Sequence, residues 1–209
     1  MTRFALVYNL NIFPQYIRNT FVEEASKRGL EIIAEFPIAE DEERDFRSIL
    51  LKIKGLDIDA IYTVFNVDEN MIPFLNQANE FGLNKPVFSG TNTETEELAK
   101  AYSAYPPRVF KGKIGREDRA FTAAYKSRYG EDPYIPAANA YDAAKLIIAA
   151  FKSGARTGPE IRNFLTNVKD FPSAAFGTMS FDEKGAVLTS DQGVFVVKTA
   201  KEGKFIEIK

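Results

Sequence analysis

The chain of 209 residues contains no cysteine and no histidine. Those two absences remove whole classes of chemistry. There can be no zinc site with Cys or His ligands, no thiolate nucleophile and no Ser-His-Asp triad. Carboxylate chemistry, lysine chemistry and oxygen-ligated metals stay open. The lack of cysteine also suits an oxidising compartment without requiring one. An excess of charge of one sign is missing too. The net charge is −2, so composition gives no reason to expect nucleic acid or an anionic membrane surface as a partner. Long apolar runs are absent. The richest, LIIAAF at 146–151, is far short of the roughly 20 residues that a membrane-spanning helix needs.

Several motifs fail on spacing. No GxGxxG follows the first predicted strand, where NLNIFPQ stands instead, and FKGKIGR does not have the spacing of a Walker A loop. A dinucleotide or P-loop enzyme is therefore unsupported. SFDEKGAV lacks the alternating ligands and closing Glu of a calcium loop and reads as a turn between strands. The acidic run AEDEERD (39–45) reads as the start of a helix, where carboxylates meet the positive end of the dipole. No catalytic residue, metal or cofactor is expected.

What is present is a globular composition, 45% hydrophobic and 13% aromatic. Residues 1–112 alternate strand and helix. FALVY, LEIIAEFPI, IDAIYTVF, PVFSG and RVFKGKI are the predicted strands. Between them lie a helix that starts near Pro14 and stops at Gly29, a helix over ERDFRSILLKIKG, a helix over ENMIPFLNQANEFG that is kinked or begun late at Pro73, and a short acidic helix, TETEELAKAY. A β-α repeat of about 25 residues predicts an α/β fold with a doubly wound parallel sheet. FALVYN is apolar on both faces, as a buried parallel strand is. It stands at the start of the sequence with no signal peptide before it.

After Gly115 the pattern changes. Residues 117–170 read as mainly helical: EDRAFTAAYKSRYG, PAANAYDAAKLIIAAFKSG and GPEIRNFLTNVKD. Strands return at TMSFD, at GVFVVKT and at KFIEI, the last two as a hairpin. The helix AYDAAKLIIAAF is apolar nearly all round, which calls for cover on more than one side. Leu146, Ile147, Ile148 and Phe151 are expected to be exposed in the absence of such cover, and self-association through the 117–170 helices, by exchange of helices between copies, is expected.

Doubly wound sheets bind ligands at the carboxyl ends of their strands. The segments predicted there are 9–13, 65–68 and 89–93. Phe13 and Phe65 with the amides Asn9, Asn66 and Asn92 suit a small organic ligand. The competing reading has Phe13 stapling a helix start and the amides capping turns.

The ordered series ALVYNLN, FVEEASKRGLEI, DFRSILLKIKGLDIDAIY, FLNQANEFGL with PVFSG, FTAAYKSRYGEDPYIPAANAYDAAKLI and GTMSFDEKGAV resembles the branched-chain amino acid binding proteins of ABC importers, the type I periplasmic binding proteins. The resemblance implies two lobes joined by crossovers. Residues 1–112 and 193–209 resemble the α/β second lobe. Residues 113–192 resemble the helical segment by which the chain returns to an incomplete first lobe, whose first half has no counterpart. The implied ligand surface is Phe13, Phe65, Asn66, Thr91 and Asn92, with Asn92 standing near the acidic residue that amino-acid-binding members keep for the ligand's ammonium. The implied function is solute binding for ABC import, with a small amino or organic acid as ligand, an ABC permease as partner and a periplasmic or extracellular location. A ligand-sensing receptor or regulator of the same fold is the alternative. A cytoplasmic α/β enzyme using carboxylates or lysines is a third reading, disfavoured by the missing motifs.

Overall fold

Strand β1 (Arg3–Asn9) dictates the architecture around it. Ala5 and Val7 belong to one buried cluster, while Phe4 and Leu6 belong to another. A strand apolar on both faces needs a strand on each side and a layer above and below. The computed structural model, which describes residues 1–39, 44–66, 68–90, 94–114, 118–134, 136–189 and 195–208, supplies all four. The chain continues as α1 (Ile12–Lys27), β2 (Glu31–Ile38), α2 (Arg47–Lys54), β3 (Ala60–Val64), α3 (Asp68–Glu80), β4 (Val87–Ser89), α4 (Glu96–Ala104) and β5 (Val109–Ile114). It then runs through α5 (Arg119–Tyr129), α6 (Ala137–Lys152), α7 (Gly158–Asn167), β6 (Phe171–Ser173), β7 (Gly177–Phe181), β8 (Val187–Thr189), β9 (Phe195–Lys201) and β10 (Lys204–Glu207).

Seven strands form a mostly parallel sheet in the order β10-β9-β5-β4-β3-β1-β2. Parallel pairing joins β1 to β2 and β3, β3 to β4, and β4 to β5, while β9 and β10 form an antiparallel hairpin. Helices α2, α3 and α4 cover one face through Leu50, Ile53, Phe74, Leu75, Leu98 and Tyr102. Helix α1 covers the other over β1, with Phe21 and Val22 against Phe4 and Leu6. This is the doubly wound α/β arrangement expected from the β-α repeat. The chain divides into two compact units, Met1–Gly112 with Val197–Lys209, and Lys113–Val196.

Three local features of the first unit differ from the sequence reading. Helix α3 does not begin late. It runs continuously through Pro73, whose missing N–H costs it a hydrogen bond. Burial of Met71, Phe74 and Leu75 on its inner face offsets that loss. Phe46 is not within α2 but immediately before it, buried, with its amide donating to Gln77 Oε1 at 2.6 Å. Gln77 Nε2 donates in turn to Arg44 O, so α3 caps the start of α2. The core also takes in the ring of Phe65, discussed below. The acidic run at 40–43 lies outside the described residues.

The second unit is built on a polar node. Asp142 of α6 is buried and accepts from Ser173 Oγ (2.6 Å), Ala174 N (2.9 Å) and Ala175 N (3.0 Å). These bonds fix the turn between β6 and β7 against the helix. Strands β6, β7 and β8 form a three-stranded antiparallel sheet, of which only β7 was expected. The SFDEKG segment is the β7–β8 turn: Asp182 Oδ1 accepts from Lys184 N and Ala186 N, and Gly185 holds a φ of 82°. One expectation about α6 is corrected. Leu146 is buried, packed with Val168 and Met179 on the side of the helix that carries Asp142. Ile147, Ile148 and Phe151 on the opposite side are 38%, 51% and 45% exposed.

Replacing Asp142 with Ala removes the shared acceptor of three donors in a closed site, of which Ala175 N alone keeps a second acceptor, Ser173 Oγ at 3.1 Å. Hydrogen bonds to a charged acceptor are worth about 1.5–3 kcal/mol each, so a loss of at least about 3 kcal/mol of local stability is expected. Amide hydrogen exchange should show it as a rise of about two orders of magnitude at Ala174 and Ala175, with β1 and β3 unchanged.

Candidate functional site

From β1 the chain steps outward to β2, then passes back beyond β1 to form β3. The strand order therefore reverses between β1 and β3, and the carboxyl ends of strands at such a point are where open α/β sheets bind ligands. Asn9 closes β1 there. Its side chain is 2% exposed, and its Oδ1 accepts from the backbone N–H of Asn66 at 3.0 Å and from Asn70 Nδ2 at 3.4 Å. A buried amide thus sets the height of the loop after β3. Asn66 itself is exposed.

The sequence-predicted residues part company at this edge. Asn9 and Asn66 come together. Phe13 lies in the first turn of α1, 49% exposed, with Leu10, Ile12 and Tyr16 also open to solvent close by in sequence. Phe65 is turned into the core. Its ring is 2% exposed and lies 5.6 Å from both Phe46 and Phe74, so the side chain serves the core and only the backbone belongs to the edge. Thr91 and Asn92 lie outside the described residues. Asn70 and Ile12 were missed. Ile12, 90% exposed, had a signal: an apolar residue inside a polar turn. Asn70 had none short of the folded contact.

A concavity of about 790 Å³ lies within the Lys113–Val196 unit. Tyr141, Phe121, Tyr125 and Tyr129 line it as a row of rings with successive centroid distances of 5.2, 6.0 and 4.6 Å. Lys145 sits over the rings of Tyr141 and Phe171 and donates to Pro172 O. Among the described residues no group of acids could hold a metal ion. No described helix is long and apolar enough to cross a membrane.

The model of one protein family, described as periplasmic binding protein, matches residues 1–204. The chain belongs to that family. No curated protein sequence matches significantly. Among solved structures, the family fold is shared with the leucine binding protein LivK of Thermotoga maritima, at 19% identity and a TM-score of 0.82, covering 100% of this chain and 60% of that one. It is shared with LivJ of Streptococcus pneumoniae, a branched-chain amino acid transporter substrate binding protein in complex with isoleucine, at 25% identity and a TM-score of 0.78, covering 99% and 60%. A solute binding protein of an ABC transporter from R. palustris, in complex with benzoate, matches at 17% identity and a TM-score of 0.79, covering 100% and 58%. The chain thus spans about 60% of the length of these relatives.

The edge can be probed without a ligand. Asn9→Ala removes the acceptor for Asn66 N–H, and a cost of about 1–2 kcal/mol is expected from the lost bond and stranded donor. Asn66→Ala leaves that backbone bond intact and should change stability by less than about 0.5 kcal/mol, as exposed substitutions usually do. Urea unfolding of the two variants measures the difference.

Proposed function

We propose that this chain is the solute-binding component of an ABC importer, holding a small organic solute at the carboxyl edge of its seven-stranded sheet with no chemical step. One observation carries the reading: at the carboxyl edge where the strand order reverses between β1 and β3, buried Asn9 holds the backbone of Asn66, in a member of a family of binding proteins. Isoleucine in one relative and benzoate in another support a solute of that size. The unit Met1–Gly112 with Val197–Lys209 serves as one lobe of the binding protein, with a permease as partner on the periplasmic or extracellular side. Permease and ATPase genes beside its own gene would separate this role from that of a sensor.

The solute proposed lacks an ammonium group. Thr91, Asn92 and Thr93 are uncharged, and a neutral amide gives an ammonium no charge-assisted bond. An aromatic or aliphatic acid fits better than leucine or valine. A single lobe presents an open face, so binding to the chain alone is weak. Titration followed by amide chemical shifts tests this. Benzoate should move the amides of Leu10, Phe13 and Asn66, and leucine should move them less. Leucine binding with micromolar or tighter affinity would overturn the proposal.

The α6 face carrying Ile147, Ile148 and Phe151 is proposed to meet a second copy of the chain. Each large apolar side chain left in water forgoes about 1.5–3 kcal/mol of burial, and these three lie on one side of one helix. Sedimentation over a concentration series should show association that Ile147→Glu abolishes. A monomer at every concentration would count against it.

A further inference from the structure

We infer that Glu94 is a positioning residue that ties together the two strands through which the chain leaves its first unit and returns to it. The chain leaves that unit after Gly112 and re-enters it at Val197. Strand β5 carries the exit, β9 carries the return, and the two are neighbours in the sheet. Each places a lysine beside the boundary. Lys111 immediately precedes Gly112, and Lys198 immediately follows Val197.

Both ammonium groups converge on one carboxylate from elsewhere in the sequence. Lys198 Nζ donates to Glu94 Oε2 at 2.7 Å, and Lys111 Nζ lies 3.6 Å from Glu94 Oε1. The Lys111 side chain is fully buried and sits over the ring of Phe205 at 5.0 Å. The side chains of Lys198 and Glu94 are only 14% and 20% exposed. A desolvated ionic cluster adds little stability over an apolar one of the same shape, but it is intolerant of losing a member. Without the carboxylate, two like charges on adjacent strands would face one another in a poorly solvated site. Glu94 therefore holds both lysines, and through them both strands, in one arrangement.

Its own anchorage gives the cluster a direction. Glu94 directly precedes Thr95, the N-cap of α4, whose side chain accepts from Leu98 N at 3.2 Å. Lys111 is the register partner of Ser89, the last residue of β4. The ions thus stand at the carboxyl edge of the sheet, the edge that also carries Asn9 and Asn66. A shift in the start of α4 displaces the carboxylate and loosens exit and return together. The inference stands apart from the solute reading, and its test needs no ligand.

The cysteine-free sequence allows two nitroxide labels to be placed cleanly, at Lys52→Cys on α2 and Lys204→Cys on β10, both exposed and both in the first unit. Doubly labelled chain is diluted with unlabelled chain, and the label-to-label distance distribution is measured by pulsed EPR. Glu94→Gln and Lys198→Met should both broaden it, while Lys198→Arg, which keeps the charge, should not. Amide exchange in β5 and β9 should rise about tenfold in the two broadening variants, equivalent to about 1.4 kcal/mol, with β1 and β3 unaffected. Should Glu94→Gln fail to fold, Lys198→Met decides alone. A parent-like distribution in Lys198→Met, or equal broadening in Lys198→Arg, overturns the inference.

Discussion

Strand β1 must be dry on both faces, and most of the first unit is arranged to keep it so. Ala5 and Val7 have no solvent exposure at all, and Leu6 has 1%. Helices α2, α3 and α4 supply the layer on one side and α1 the layer on the other. The same strand then ends in a buried amide. Asn9 is tolerated there because its carbonyl oxygen is used by the loop after β3. The apolar interior of β1 and the polar fixing of the carboxyl edge are consecutive parts of one segment, so the edge inherits its position from a strand buried on both faces.

The second unit rests on the opposite device. Its helix α6 has apolar residues around most of its circumference, and apolar contact alone would not choose which side faces the small sheet. Asp142 makes that choice. Its three short hydrogen bonds to the β6–β7 turn are directional where apolar packing is not. They turn Leu146 and Ala150 inward with it and leave Ile147, Ile148 and Phe151 outside.

The order of β1 to β5 and their helices was legible because each element has its own period and its own stop. Gly29, for example, holds a φ of 69° just past the end of α1. Strands β6 and β8 were not legible. Each has three residues, too few to show alternation, and β6 contains Pro172. Leu146 was misplaced because a helix apolar all round has no sequence signal for its inner side. Phe65 was grouped with Phe13 as a strand-end aromatic, yet the period-2 rule carried the answer. Ile61, Thr63 and Phe65 share a face, and Ile61 and Phe65 share a core cluster. The role of Asn9 could not be read at all, since its partner lies 57 residues away.

The antiparallel hairpin β9–β10 completes a sheet whose other strands were made much earlier in the chain. Until the ribosome has passed the whole of the second unit, β5 is an open edge, with the carbonyl of Val109 still waiting for Thr199 Oγ1. An unpaired edge beside a largely assembled parallel sheet is the kind of surface that draws in foreign strands. The nascent protein therefore passes through a stage in which its second unit is being synthesised while its first is still one side short. Its exposure to misassembly and its use of chaperones should be concentrated in that interval.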